Sequence, residues 1–406
     1  MDFHVDMGPQ YEGETVRKDD MYVEFGGPKV ATKFELVTLK SPDEVEHEKV
    51  EIIGPDLKDM EEGSGHPLAL LIDIAGEDLE KDMEPVIERR NHMYVNYIEG
   101  LYHMNQRNDI WIRLNKAAVK KGLDSLKEIG DMLIFLFTSE LFAIEKMSVT
   151  FVTDPAKVEE LLADALKVYA ARDERLKGMK EEDVDEFYGC VLCQSFAPTH
   201  VCVITPERIA NCGAINWFDG RAAYKLDPEG PIFAVEKGEC LDEVRGEYTG
   251  VNQNAVERSL GEYESVYLHS AFDKPHTSCG CFQSICFYIP EVDAFGIVHR
   301  DFAGPTVIGE AFSRMAGTTS GGKQVEGSLG LAMEYLRSPK FLQADGGMYR
   351  MVWMPKEIKE RYKENIPEDL YDKIATEEDV SNADELAEWL QNAGHPWLLG
   401  EVELPG

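Results

Sequence analysis

Short apolar runs alternate with amphipathic stretches through the N-terminal half of the chain, a pattern that predicts strands alternating with helices. Residues 68–74 are apolar except for one aspartate and precede an alanine and a glycine, which is typical of a buried strand. Further strands are predicted at 110–114 and 149–152, and helices at about 79–102 and 125–145. Strands that alternate with helices indicate a mostly parallel sheet. The sequence therefore predicts an N-terminal α/β domain of this kind.

The next helix has a recognisable start. Asp154 stands where an N-cap residue is expected, and Pro155 occupies the first helical position. Five apolar residues then recur on one face of the helix: Val158, Leu161, Leu162, Ala165 and Tyr169. This segment is therefore predicted to be an amphipathic helix.

A charged stretch at 172–186 separates this region from the rest of the chain, and we interpret it as a linker or an exposed helix. Beyond it, helical and glycine-rich segments are mixed with strand-like runs at 201–204, 285–289 and 351–354, and the pattern at 377–391 predicts a helix. We expect an α/β domain at 1–180 and a mixed α+β domain at 181–406, which contains every cysteine.

The chain is strongly acidic, with 76 acidic residues against 41 basic ones and a formal net charge of -35. Such a surface repels nucleic acid and anionic lipid, so neither is expected as a partner. No apolar run is long enough to span a bilayer, and the first nine residues lack the pattern of a signal peptide. We expect a cytoplasmic protein that does not contact a membrane.

The eight cysteines all lie in one stretch of the second half, at 190–286. In a reducing compartment such clustering favours metal binding or catalysis over disulfides. Four thiolates suit either a [4Fe–4S] cluster or a structural zinc ion. The spacing fits neither the compact ferredoxin run nor paired zinc knuckles, so by itself it leaves the metal open. This first set is Cys190-x2-Cys193-x8-Cys202-x9-Cys212.

The second set is Cys279-Gly280-Cys281. Two thiolates and the backbone nitrogens of Gly280 and Cys281 can surround one metal ion in a plane, and square-planar coordination by nitrogen and sulfur is diagnostic of Ni(II) or Cu(II). The central glycine has no side chain to obstruct the close fold of the backbone. Two ordinary core cysteines that flank a turn are the alternative interpretation.

Taken together, the two sets resemble the acetyl-CoA synthase subunit of the carbon monoxide dehydrogenase/acetyl-CoA synthase complex. The resemblance rests on the segment 189–196, with sequence GCVLCQSF, on Cys202 and Cys212, and on the segment 278–282, with sequence SCGCF. Segments 106–113 and 301–317 are also similar to the family, so the resemblance covers nearly the whole chain. It is closest to the shorter archaeal form, which lacks the N-terminal domain of the bacterial one.

The resemblance implies a role for each matching residue. The first four cysteines would hold a [4Fe–4S] cluster, and Cys193 would also bridge to a proximal nickel ion. Cys279, Gly280 and Cys281 would bind a distal nickel ion and bridge to the proximal one. Phe196 would be the aromatic side chain beside the proximal nickel. The implied activity is that of an acyltransferase that assembles or cleaves acetyl-CoA.

The resemblance also implies partners: carbon monoxide dehydrogenase, a corrinoid iron–sulfur protein, ferredoxin, CO, and CoA or acetyl-CoA. CoA carries phosphates and needs a basic site, which the domain at 1–180 would supply. We expect Arg107 and Arg113 to contact CoA, as part of a basic group with Arg89, Arg90, Lys116, Lys120 and Lys121. A solvated face with ordinary surface ion pairs is the alternative.

Two other functions stay open at this point: a [4Fe–4S] electron-transfer protein and a structural zinc protein. Neither needs the Cys-Gly-Cys motif, so that motif discriminates. Residues 317–324, GTTSGGKQ, nearly match a phosphate-binding loop. They have Gln324 where Ser or Thr would hold magnesium, and they follow a predicted helix rather than a strand. Nucleotide binding is therefore not expected. Cys286 lies in an apolar run and is expected in the core.

Overall fold

The computed structural model describes residues 2–11, 14–194 and 197–404. The chain divides into two compact units. The first consists of Met1–Lys177 and Phe218–Gly230, and the second of Gly178–Trp217 and Pro231–Gly406. The segment Phe218–Gly230 therefore belongs to the first unit, although it follows the first four cysteines in the sequence.

Strands and helices alternate in the first unit. Its strands are β1 (Met21–Gly26), β2 (Lys33–Leu39), β3 (Lys49–Ile53), β4 (Ser64–His66), β5 (Leu68–Ala75), β6 (Leu101–Met104), β7 (Trp111–Asn115) and β8 (Lys146–Val152). Its helices are α1 (Glu84–Asn96), α2 (Lys116–Lys121), α3 (Leu126–Glu140), α4 (Pro155–Glu174) and most of α5 (Trp217–Leu226).

The α/β class is confirmed, but the sheets of this unit are mixed rather than mostly parallel. One sheet has the order β2-β5-β8-β3, in which β2 and β3 pair in parallel with their neighbours while β5 and β8 pair antiparallel. The other has the order β4-β1-β7-β6, and only β1 and β4 are parallel in it. Between β5 and β8 the chain forms several elements instead of one crossover helix, so nothing forces these two strands into the same direction.

The predicted helix at 79–102 is too long at both ends, because α1 covers only Glu84–Asn96. Gly100 has a φ of 83°, and a Cβ atom there would lie 2.6 Å from Asn115 Oδ1. This turn redirects the chain into β6, which pairs with β7. By contrast, the predicted start of α4 is confirmed, because the Asp154 side chain accepts a hydrogen bond from the Lys157 backbone amide at 2.9 Å.

The second unit is a mixed α+β domain, as expected. Its strands are β9 (Glu186–Cys190), β10 (Cys202–Ile204), β11 (Ile232–Glu236), β12 (Cys240–Asp242), β13 (Glu247–Tyr248), β14 (Ser284–Ile289), β15 (Ala294–His299), β16 (Ser328–Leu331) and β17 (Met351–Trp353). Its helices are α6 (Thr249–Arg258), α7 (Phe312–Thr319), α8 (Lys356–Arg361), α9 (Glu368–Tyr371) and α10 (Ala383–Ala393).

Two sheets of the second unit position the cysteines. The first has the order β10-β9-β11, and the second has the order β16-β14-β15-β17. The second sheet is buried on both faces, with Cys286 in one apolar cluster and Ile285 and Phe287 in the other. The fully buried Cys286 is therefore a core residue. Only two residues separate the Cys-Gly-Cys motif from β14, so the buried sheet anchors it.

The charged stretch at 172–186 is not a simple solvated linker. Arg172 belongs to α4, is 6% exposed, and forms ion pairs with Glu88 at 2.9 Å and Glu84 at 3.1 Å. Glu181 in the second unit is completely buried. Charged residues can be buried where they are paired, and a sequence pattern does not show pairing. Separately, no helix within the described residues is long and apolar enough to cross a membrane.

Candidate metal centre

The first sheet of the second unit sets two of the cysteines side by side. Cys190 ends β9 and lies directly opposite Cys202, the first residue of the antiparallel strand β10. Directly opposite residues of an antiparallel pair project on the same face of the sheet. Both side chains are buried. Cys193 follows β9 in a turn in which the Gln194 amide donates to the Val191 carbonyl at 3.0 Å.

Cys212 lies in a tight loop beyond β10. The Gly213 amide donates to the Ala210 carbonyl at 2.8 Å, which closes the loop around the cysteine. The backbone amide of Asn211 points to the sulfur of Cys202 at 3.3 Å. This hydrogen bond connects the loop to the strand pair that holds the other cysteines.

The Cys-Gly-Cys motif meets the first set at Cys193. The sulfur atoms of Cys193, Cys279 and Cys281 all lie within 4.8 Å of one another. The Cys281 amide nitrogen is 3.2 Å from the Cys279 sulfur, so both atoms can face one ion. Cys193 and Cys279 are buried and Cys281 is partly exposed. Chain segments more than 80 residues apart thus contribute thiols to a single group.

The segment that resembles a phosphate-binding loop serves a different purpose here. The Gly321 amide donates to the Cys279 carbonyl at 3.0 Å, and the Gly322 amide donates to the Ser278 carbonyl at 2.9 Å. Gly322 has a φ of 77°, and a Cβ atom there would lie 2.9 Å from the backbone nitrogen of His200. The two glycines therefore fix the backbone of the Cys-Gly-Cys motif through these hydrogen bonds.

The guanidinium group of Arg300 also binds the backbone of the Cys-Gly-Cys motif. Arg300 donates to the carbonyl oxygen of Gly280 at 2.9 Å and to that of Phe282 at 2.7 Å. The Gly280 carbonyl belongs to the peptide group whose nitrogen is that of Cys281. One side chain thus fixes the orientation of this peptide plane.

Two buried histidines join the motif to β10. The Val203 amide donates to His276 Nε2 at 3.0 Å, and His200 Nδ1 lies 2.9 Å from the Thr277 hydroxyl. Burial lowers the pKa of His200 to about 3, so this ring is neutral at physiological pH. Burial also holds the pKa of His276 well below its usual range, so both histidines act as neutral hydrogen-bonding groups that fix the backbone around the cysteines.

The electrostatics of the thiol group favour a bound cation. The hydrogen bond with Cys193 lowers the pKa of Cys279, but the hydrogen bond with Cys281 and burial outweigh it, and the net pKa lies well above the usual range of a thiol. Three thiolates this close would repel one another, and a metal ion is what allows all of them to ionise. Among the described residues the group consists of sulfur ligands alone, which suits soft transition metals. The donor set therefore fits a nickel or iron–sulfur centre.

Comparison with known proteins gives the relationship. Residues 3–158 match the family described as CO dehydrogenase/acetyl-CoA synthase complex beta subunit, and residues 169–402 match the C-terminal family of the ACS/CODH beta subunit. The chain belongs to this beta-subunit family. The resemblance inferred from the cysteine motifs is therefore confirmed.

Relatives in the beta-subunit family are similar over most of the chain. The acetyl-CoA decarbonylase/synthase complex subunit beta 2 of Methanocaldococcus jannaschii is 58% identical, and the alignment covers 97% of this chain and 83% of the relative. The subunit beta of Archaeoglobus fulgidus is 57% identical, over 99% and 76%. That of Methanopyrus kandleri is 55% identical, over 99% and 87%. The similarity to the archaeal form is likewise confirmed.

The structure places the remaining predicted residues as follows. Phe196 lies outside the described residues. Arg107 is 4% exposed, pairs with Asp173 at 3.0 Å and lies over the ring of Tyr169. Arg113 pairs with Glu24 at 3.1 Å. Both arginines already have carboxylate partners within the first unit, so their contact with CoA stays a prediction.

Three residues at this beta-subunit site were missed by the sequence reasoning: Arg208, Asn211 and Arg300. Each acts through hydrogen bonds to segments that are distant in the sequence or to the backbone. No local signal marked them: Arg208 stands beside Glu207 in a stretch between Cys202 and Cys212 that also contains Thr205 and Asn211, so the sequence does not single it out.

Proposed function

We propose that this chain assembles or cleaves acetyl-CoA, joining CO, a methyl group carried by a corrinoid protein, and CoA, as an acyltransferase of the acetyl-CoA synthase type. The observation that carries the proposal is the convergence of Cys193 with Cys279 and Cys281, whose sulfur atoms lie within 4.8 Å of one another. Its relatives are named acetyl-CoA decarbonylase/synthase subunits, which supports the same activity.

The residues that would hold the metals are those that the resemblance to the family implies. Cys190, Cys193, Cys202 and Cys212 would bind a [4Fe–4S] cluster, which takes four thiolates. Cys193, Cys279 and Cys281 would share the proximal nickel ion, and the Cys-Gly-Cys motif would bind the distal nickel through sulfur and backbone nitrogen. When bound, the nickel centre would supply an open coordination position at which the reacting groups meet.

The chain's own residues would prepare this position. Cys279 and Cys193 are buried, which excludes water from most of the site and strengthens the interactions of charges there. Arg300 and Gly321 hold the carbonyl oxygens of the two peptide groups whose nitrogens would bind the distal nickel. Partners that fix ligands in this way orient them and tune the metal.

The electron-transfer alternative is not favoured. An electron-transfer protein needs one four-cysteine cluster and has no use for a further pair of thiols next to it. The relatives are named subunits of a complex, and the family description names CO dehydrogenase, which supports carbon monoxide dehydrogenase as a partner. A corrinoid iron–sulfur protein and ferredoxin are the further partners that the resemblance implies. The first unit, with Arg107 and Arg113, is our candidate for the CoA contact. A rise in the KM for CoA in an Arg113→Gln variant would support it.

Metal analysis combined with an acetyl-transfer assay tests the function. The active protein should contain about four iron and two nickel per chain, the number expected for one four-thiolate cluster and a nickel pair. Cys279→Ser should lose nickel and activity, whereas Cys240→Ser, which alters an exposed cysteine outside the two sets, should keep both. A nickel-free preparation with full activity would refute the proposal. Zinc alone would indicate a structural site.

A further inference from the structure

One arginine at the metal centre is buried without a carboxylate partner. Arg208 is 1% exposed. Its guanidinium donates to the Val203 carbonyl at 3.2 Å and to Asn211 Oδ1 at 2.9 Å, and its Nε has no hydrogen-bond partner. Within the described part of the chain, no carboxylate oxygen lies within 4.0 Å of its nitrogens. A buried charge left unpaired is strongly unfavourable, so a counter-charge is required.

The nearest groups do not supply that counter-charge. The guanidinium lies over the ring of Tyr335, 5.6 Å from its centroid, and a cation–π contact is only a weak compensation. The Tyr335 hydroxyl is 3.0 Å from His269, and His269 is 3.0 Å from Glu181. Glu181 is already engaged, because His269 and Lys340 both contact it. Glu207 also faces Lys340, at 3.5 Å.

The hydrogen bonds of Arg208 lead instead to the cysteines. Val203, whose carbonyl it holds, directly follows Cys202, and Asn211, whose side chain it holds, directly precedes Cys212. The Asn211 amide in turn donates to the Cys202 sulfur at 3.3 Å. Arg208 thus spans the loop between two predicted ligands of the iron–sulfur cluster.

The burial of Arg208 limits which groups can neutralise its charge. An external anion cannot compensate a guanidinium that is 1% exposed. The compensating charge must therefore belong to the interior of this unit.

We propose that the counter-charge of Arg208 is the [4Fe–4S] cluster held by Cys190, Cys193, Cys202 and Cys212, and that Arg208 stabilises the more negative, reduced state of that cluster. This inference rests on the proposed function. A cluster bound by four thiolates carries net negative charge, and one-electron reduction by an external reductant adds one more. A fixed positive charge in a water-poor interior favours the state with more negative charge. The cluster's reduction potential depends on its net charge and its hydrogen bonds.

The test is a potentiometric titration of the loaded protein with dithionite, followed by the electron paramagnetic resonance signal of the reduced cluster. Arg208→Met removes the charge, and Arg208→Gln removes it while keeping a hydrogen-bond donor. Both should shift the reduction equilibrium at least about tenfold toward the oxidised cluster, which corresponds to about 59 mV for a one-electron couple. Arg208→Lys keeps the charge and should stay much closer to wild type.

Arg350→Met is the matched control, because Arg350 is 7% exposed in the same unit but pairs with Asp293 at 2.6 Å. It should leave the potential unchanged. If neither neutral variant loads iron while Arg208→Lys does, the cluster requires the charge and the inference stands. The inference would be overturned if iron-loaded Arg208→Met and Arg208→Gln had the wild-type reduction potential. It would also be overturned if Arg208→Lys lost iron, or shifted in potential, as much as the two neutral variants. A wild-type protein without iron would instead refute the proposed function.

Discussion

Arg300 donates a hydrogen bond from its guanidinium to the carbonyl oxygen of Gly280 at 2.9 Å. That oxygen belongs to the same peptide group as the amide nitrogen of Cys281, which is a predicted nickel ligand. When this nitrogen loses its proton, peptide resonance places part of the resulting negative charge on the carbonyl oxygen. A cation on the oxygen therefore supports a nitrogen that binds metal as an anion.

The first prediction concerns this contact. Arg300→Met should weaken nickel binding at the Cys-Gly-Cys motif about 10- to 100-fold, the usual cost of removing a partner that orients a metal ligand. Iron content should not change, because the first four cysteines are untouched. Nickel binding is measured by titration of the iron-loaded protein. Arg314→Met, which alters an exposed arginine on α7, is the control, and equal nickel affinity in the two variants would contradict the role of Arg300.

A second prediction isolates the backbone nitrogen of Gly280 as a ligand. Proline has no N–H to lose, so Gly280→Pro should keep the iron–sulfur cluster and lose the distal nickel and acetyl transfer. Gly280→Ala retains the nitrogen and is the control. Among the described residues the nearest atom to its Cβ would be Ser320 Cβ, at 3.7 Å, and the strain that a side chain meets at the Gly280 φ of 159° is common to both variants.

Misfolding is the competing explanation for a loss in Gly280→Pro. An unchanged cluster spectrum and an unchanged Tm would exclude it. A folded Gly280→Pro protein with two nickel ions and wild-type activity would show that the amide nitrogen is not a ligand.

The third prediction concerns the order in which the nickel ions leave. The proximal ion would be bound by the bridging sulfurs of Cys193, Cys279 and Cys281, without a backbone chelate, and Cys281 is partly exposed. A chelator should therefore remove about half of the nickel quickly and the rest slowly. Copper or zinc should refill the fast site without restoring activity, because soft thiolates accept both. Loss of all nickel in a single phase would count against two distinct sites.

The fourth prediction concerns acid stability and Glu181. Burial alone would raise the pKa of this carboxyl, but the charge and hydrogen bond of His269, with Thr205 and Lys340, lower it from 4.5 to about 2. A carboxylate with a lowered pKa stabilises the fold above its unfolded pKa, and this contribution disappears as the pH falls from about 4.5 toward 2. The difference between the two pKa values corresponds to roughly 3 kcal/mol.

Glu181→Gln should therefore lower the Tm of the metal-free protein at neutral pH, and the gap to wild type should narrow as the pH falls below about 4.5. Thermal unfolding over this pH range measures the effect. Glu388→Gln, an exposed position on α10, should show no comparable gap. A gap for Glu181→Gln that stays constant down to about pH 2.5 would mean that the lost contacts, rather than the charge, cause the destabilisation.

Local patterns determined much of the fold and the chemical type of the site. The strand at Leu68–Ala75, the cap at Asp154 and the core position of Cys286 follow from the order of apolar, polar and special residues over a few positions. The six cysteines predicted as ligands are equally visible, because spacing and residue type already limit which metals they suit. Neighbouring residues decide these features, so the sequence alone reveals them.

Only the tertiary structure decided how these parts meet. The antiparallel pairing of β5 with β8, the closeness of Cys193 to Cys279, and the contact of Arg300 with Gly280 each depend on where separate segments pack. The sequence shows that Glu181 and Arg208 are charged. It does not show that both are buried, nor that Glu181 contacts His269 and Lys340. The free energy of a buried charge depends on its neighbours in space, and those neighbours are brought together only by folding.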